Sequence, residues 1–263
     1  MKKFMTTVGA AALLATVMAA SAANATLTTF ATISATTGPN FEFKNANSKG
    51  KSASGELFTI APSSGTPGTT VVTFSLINLG ATLDNAFKNI VADFTFDAFV
   101  TATPAVLGAG NQIVQPGITG SFSLISTTAV TYGSHTLAAG SNLLSATFTN
   151  AVLAGTNKST GGGVNGNNQV AGQTLVYTSD FLNFAAFSGE DASLSLSAAL
   201  PKLTSVLLGT YALSTFKGTT GGSFSSSPPP TVGVPEPASW ALMLVGVGAV
   251  GGMMRRRKTV VAA

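Results

Sequence analysis

The 263-residue chain has no cysteine, one histidine, one tryptophan and few charges: 13 Lys and Arg against 9 Asp and Glu. Charged residues make up 8% of it, where a soluble domain carries about 25%. Without cysteine there is no disulfide framework, zinc knuckle or thiol nucleophile. The lone His135 cannot build the multi-histidine sites of zinc or non-haem iron enzymes. A formal charge of +4 and a pI of 9.5 resemble a nucleic-acid ligand until the charges are placed. Lys2 and Lys3 lie at one extremity and Arg255, Arg256, Arg257 and Lys258 at the other. Seven cations and eight acids remain between residues 26 and 234. Neutralising phosphates needs a concentrated basic surface, so the middle of the chain argues against nucleic acid.

That middle is rich in Thr, Ser, Ala, Gly and Asn. No helical period persists in it, and no repeat of fixed length marks a solenoid. Short β-rich runs recur between Gly, Pro, Asn and Ser breaks, at 27–35, 41–44, 56–61, 69–79, 89–103, 120–131, 143–153, 173–177, 193–199 and 210–217. The expected fold is all-β, a β-sandwich with the jelly roll as its candidate form, over residues 26–217. One short helix is expected near 198–208 or around 178–186. The Gly/Asn-rich stretch 157–172 carries no acid, unlike calcium-binding nonapeptide repeats, and reads as an exposed hairpin tip. The Gly/Ser/Pro-rich stretch 218–234 reads as a linker, flexible in its Ser and Gly and stiffened at Pro228-Pro229-Pro230.

Catalytic patterns are sparse. There is no GxSxG elbow, P-loop or dinucleotide fingerprint. Ser48–Lys51 and Ser214–Lys217 fit S-x-x-K, but neither has the helix start and companion motifs that give that pattern chemistry. His135 follows a turn-like Tyr132-Gly133-Ser134. In Asp93-Phe94-Thr95-Phe96-Asp97 a strand sends both Phe rings to the core and both acids outward. The two acids then stand about 13 Å apart, beyond the separation of glycosidase carboxylate pairs. A calcium site from Asp93, Asp97, Glu190 and Asp191 is the weak alternative, and no cofactor is indicated. Of the aromatic residues 17 are Phe, a core residue more often than a sugar platform. Thr-x-Thr occurs at Thr101/Thr103 and Thr147/Thr149 without the constant spacing of an ice-binding array.

The extremities read as addresses. Residues 1–25 combine Lys2 and Lys3, a short apolar run over 8–20 and the small-x-small site Ala23-Asn24-Ala25, the parts of a cleaved secretory signal. At the other end Pro235-Glu236-Pro237 and Trp240-Ala241 precede Arg255, Arg256 and Arg257. The apolar run 238–254 spans about 26 Å as a helix, at the short limit for crossing a bilayer. The Arg cluster orients it with residue 255 in the cytoplasm. Residues 235–258 resemble a PEP-CTERM sorting signal of the PEPxxWA form, also known as an ice-binding protein C-terminal domain. The resemblance implies a Gram-negative source, a transient anchor in the inner membrane, and processing by an exosortase. The expected protein is then an exported, non-enzymatic component of the cell surface or exopolysaccharide matrix, as in a biofilm. The alternative is a carbohydrate- or calcium-binding surface module.

Overall fold

The structure is a computed structural model that describes residues 26–61, 65–185 and 189–232. Its elements in order are β1 (Thr28–Ala35), β2 (Phe41–Asn45), β3 (Gly55–Thr59), β4 (Thr70–Leu76), α1 (Ala81–Ala86), β5 (Ile90–Val100), β6 (Val106–Leu107), β7 (Gln112–Ser126), β8 (Val130–Tyr132) and β9 (His135–Leu137). There follow β10 (Asn142–Thr156), β11 (Gly162–Asn167), β12 (Thr174–Thr178), β13 (Leu182–Asn183), β14 (Gly189–Leu200), β15 (Phe216–Ser227) and β16 (Thr231–Val232). The protein is all-β, and its strand pairs are antiparallel.

Most strands belong to one 12-stranded sheet whose path runs β1-β4-β5-β3-β2-β15-β14-β11-β10-β7-β6, with β12 beside β10. Two further pairings, β1 with β15 and β5 with β7, close it on itself. Closure works because β5 and β15 each serve two partners along one edge. Strand β5 pairs with β4 over 90–94 and with β3 over 97–100, while β7 occupies its other edge. Strand β15 likewise pairs with β2 over 216–218 and with β1 over 222–226, against β14 on its far side.

Each change of partner threatens a buried N–H group with no acceptor, a costly outcome. The sequence supplies a polar side chain at each seam. The Phe96 N–H donates to Thr59 Oγ1 at 3.0 Å, and Thr59 in turn donates to the Gly68 carbonyl at 2.7 Å. At the other seam the Thr220 N–H donates to Asn40 Oδ1 at 2.9 Å. Both Thr59 and Asn40 are fully buried. Strand β10 changes partner too, from β12 over 145–149 to β11 over 152–155. Its register slips between Phe148 and Ala151, where Asn150 has φ 56°. Asn tolerates that left-handed conformation better than most residues, and a bulge turns a strand toward a new neighbour.

Inside lies a core rich in phenylalanine. Phe30, Phe41, Phe43, Phe74, Phe94 and Phe96 are among the largest fully buried side chains. The Phe224 ring of β15 lies 5.1 Å from Phe122 of β7, and Phe41 of β2 lies 5.2 Å from Phe96 of β5. Phe122 and Phe224 thus meet across the middle from opposite sides of the closed sheet, while Phe41 and Phe96 pack side by side over β3. The apolar void between Phe96, Phe122 and Phe148 measures about 10 Å³, at the lower limit for a single water.

Three expectations are corrected. Residues 218–227 are no tether: they complete β15, with neighbours on both edges. The glycines that suggested flexibility are there because the neighbours come close. A Cβ on Gly222 would stand 2.6 Å from Leu194 Cδ2 and 3.1 Å from the Ser193 carbonyl. Residues 162–167 are not a hairpin tip but β11, held between β10 and β14. Neither expected helix forms: 189–200 is strand β14, 201–208 has no helix, and 178–185 contains β13. The α-helix among the described residues is the six-residue α1, capped at its end by the Phe87 N–H on the Leu83 carbonyl.

Candidate functional site

The sorting residues Pro235, Glu236, Pro237, Trp240, Ala241, Arg255, Arg256 and Arg257 lie outside the described residues, as do Ala23, Ala25 and the apolar run 238–254. No helix among the described residues is long and apolar enough to cross a membrane. The described chain reaches closer to the sorting residues than a 17-residue linker would allow. Thr231 and Val232 pair with Asn183 and Leu182, so only Gly233 and Val234 separate β16 from Pro235.

The four acids expected as calcium ligands are not gathered. Asp93 and Asp97 do share the outer face of β5, opposite Phe94 and Phe96, as strand alternation requires. Glu190 and Asp191 are consecutive on β14, which does not pair with β5, and Glu190 is buried while Asp191 is half-buried. Asp191 Oδ1 accepts a hydrogen bond from Asn165 Nδ2 at 2.9 Å. Among the described residues no group of three or more His, Cys, Asp or Glu side chains could hold a metal ion. The acids on β14 act instead on Tyr177, whose hydroxyl donates to the Asp191 carbonyl. Burial, then the Asp191 and Glu190 charges, hold that phenol well above its ordinary pKa of 10.0.

His135 is exposed at the start of β9, its ring 5.7 Å from Tyr132 across the hairpin with β8. Lys217 of one S-x-x-K match lies 3.4 Å from Glu42, and the other match sits in the turn after β2. Neither is on a helix.

What register does assemble is a polar face on β5, β7, β10 and β12. Thr95 lies opposite Ser123, Ser123 opposite Ser145, and Ser145 opposite Thr178. One pleat further, Asp97 faces Ser121, Ser121 faces Thr147, and Thr147 faces Val176. Thr69 extends the first row, its Oγ1 3.0 Å from that of Thr95. The same strands turn Phe94, Phe96, Phe122, Leu124, Phe148 and Tyr177 inward. One face is therefore core, and the other is a trough lined by hydroxyls, a single carboxylate and the exposed Val176, with a cavity volume of 290 Å³. Four strands span about 14 Å across the rows. Each hydroxyl both donates and accepts, so the trough suits an uncharged polar ligand better than an ion.

Of these residues the sequence singled out those of the 93–97 segment, with Asp97 outward and Phe94 and Phe96 inward, and Thr147 as part of a Thr-x-Thr pair. The signal for the rest was present within each strand, as Ser121-Phe122-Ser123-Leu124 and Ser145-Ala146-Thr147-Phe148 alternate hydroxyl with apolar. Nothing in one strand tells which hydroxyls of another will lie beside it.

A model of the PEP-CTERM protein-sorting motif matches residues 233–258. The chain thus carries this sorting motif, which implies recognition by an exosortase and export to the surface of a Gram-negative bacterium. Neither a curated protein nor a solved structure matches the chain.

Proposed function

We propose that this chain is an exported surface protein in which the ends deliver and the strand-built middle works outside the cell, without bond chemistry, in contact with exopolysaccharide. The observation that carries the reading is the sorting motif at 233–258. In this reading residues 1–25 are removed as a secretory signal, and residues 238–254 hold the chain transiently in the inner membrane until an exosortase acts near Pro235-Glu236-Pro237. The closed sheet works, in this reading, as a sandwich whose two walls are joined at the seams of β5 and β15. With only Gly233 and Val234 after β16, the domain rides close against the processing site rather than on a long stalk.

A second reading, a surface module that binds carbohydrate, draws on the outer trough of β5, β7, β10 and β12. It is compatible with the first, since a matrix protein needs a surface that meets the matrix.

Deleting residues 235–258 tests the delivery. The shortened protein is expected in the medium or the periplasm, and the intact one at the cell surface. Fractionation that finds both in the same place would refute sorting by this tail.

A further inference from the structure

The outer face of β5 carries one feature that the core does not explain. Phe99 is 51% exposed. The other described Phe and Tyr side chains are buried or half-buried. Aliphatic side chains are exposed too, among them Val91 on this same face and Val176 in the trough, and singly they are ordinary. Phe99 differs in offering a flat aromatic ring to a ligand. Phe99 follows Asp97 by two residues, so its ring stands on the same face, about 6.6 Å along the strand. Its cross-strand neighbours are Glu56 on β3 and Thr119 on β7.

Phe99 also borders a second polar hollow of 360 Å³, lined by Lys44, Ser54 and Glu56. The ring lines this hollow together with Glu56, and Asp97 of the hydroxyl trough is two residues away on the same face of β5. Lys44 occupies the position facing Glu56 on β2. Asp97 has no basic residue among those lining its trough.

We infer that this strip, from Glu56 across Phe99 to Asp97 and the hydroxyl rows, is a binding groove for a neutral polysaccharide chain laid across the strands. The chemistry fits part by part. Phe99 offers a flat apolar face to the C–H side of a sugar ring, as aromatic side chains do at recognition surfaces. The Asp97 carboxylate accepts hydrogen bonds from sugar hydroxyls, and charge-assisted bonds of this kind are shorter and stronger than neutral ones. Thr95, Ser123, Ser145 and Thr178 continue the contact across β12 as both donors and acceptors. The trough also selects against acidic glycans, because it contributes a negative charge and no cation to pair with a uronate or sulfate, and Lys44 in the adjoining hollow sits opposite Glu56. The inference rests on reading the domain as one that works in a polysaccharide matrix. It can fail on its own, since binding is measured on purified protein and sorting in the cell.

The test is titration of the purified full chain with dextran and galactomannan oligosaccharides as neutral probes and alginate oligosaccharide as the acidic one, followed by saturation-transfer NMR. The intact chain should bind a neutral probe and not alginate. Phe99→Ala and Asp97→Asn should each weaken that binding about tenfold or more. Ser195→Ala, exposed on β14 away from the groove, should leave it unchanged. Far-UV circular dichroism of each variant should match that of the intact chain, which separates lost contact from lost fold. No binding of either neutral probe, equal binding of alginate, or full binding by Phe99→Ala would each overturn the groove. Unchanged location on deletion of 235–258, with this binding intact, would sink the sorting role alone.

Discussion

Replacing Phe224 with Ala separates the two accounts of residues 218–227 most sharply. On a solvated tether the substitution would cost no more than about 0.5 kcal/mol, as surface changes do. In the fold Phe224 is 0% exposed, packed at 5.1 Å on Phe122 and 6.3 Å on Tyr177. Removing a ring from such a place costs about 3–5 kcal/mol, from lost burial and the cavity left behind. That is a large part of the 5–15 kcal/mol typical of a whole domain. With a urea dependence of about 2–3 kcal/mol per molar for a domain of this size, the midpoint falls by about 1–2.5 M. The readout is far-UV circular dichroism, because the one tryptophan, Trp240, lies in the tail and would not report on the sheet. Phe99→Ala is the internal control, the same chemistry at an exposed site, and its midpoint should move little. A loss below about 1 kcal/mol for Phe224→Ala, or equal losses for the two variants, would refute the placement of β15.

Tyr177 makes the fold sensitive to alkali. Its folded pKa is raised, so the unfolded chain releases the phenolic proton first, near pH 10.0. The stability this contributes is complete below pH 10.0 and is lost as the pH climbs beyond it. Tyr177→Phe should flatten that alkaline decline while costing about 1 kcal/mol at neutral pH for the lost bond to Asp191; identical alkaline limbs for the two proteins would count against the assignment. Gly120→Ala should destabilise by about 2 kcal/mol or more, because its Cβ would stand 2.2 Å from the Asp97 carbonyl and 2.5 Å from Ala98 Cα, forcing β5 and β7 apart. Gly161→Ala meets only the Leu196 carbonyl at 3.7 Å and should be nearly neutral, so thermal midpoints for the pair test the close approach.

Much of the fold was legible in the alternation of side chains. The run at 89–103 contains β5, and its Phe94 and Phe96 point inward while Asp93 and Asp97 point outward, as the pleat demands. The runs at 27–35, 41–44 and 173–177 fall on β1, β2 and β12 with small shifts at their ends. The run at 210–217 met only the start of β15. Strands β11 and β15 escaped because Gly, Asn and Ser carry little intrinsic preference for a strand. Their backbones are held by partners on both edges, which sequence separation hides: Thr28 of β1 lies opposite Ser226 of β15.

The chain's sequence alone fixed what depends on neighbours along the chain: which faces are apolar, where excess positive charge is confined, and the sorting motif at 233–258. Tertiary structure alone decided what depends on register. It set Asp97 among hydroxyls from three other strands, kept it apart from Glu190 and Asp191, and made a glycine-rich stretch the strand that closes the sheet. The physical reason is that a strand's own residues say which way each side chain points. Only the hydrogen-bonded pairing of distant strands says what it points beside.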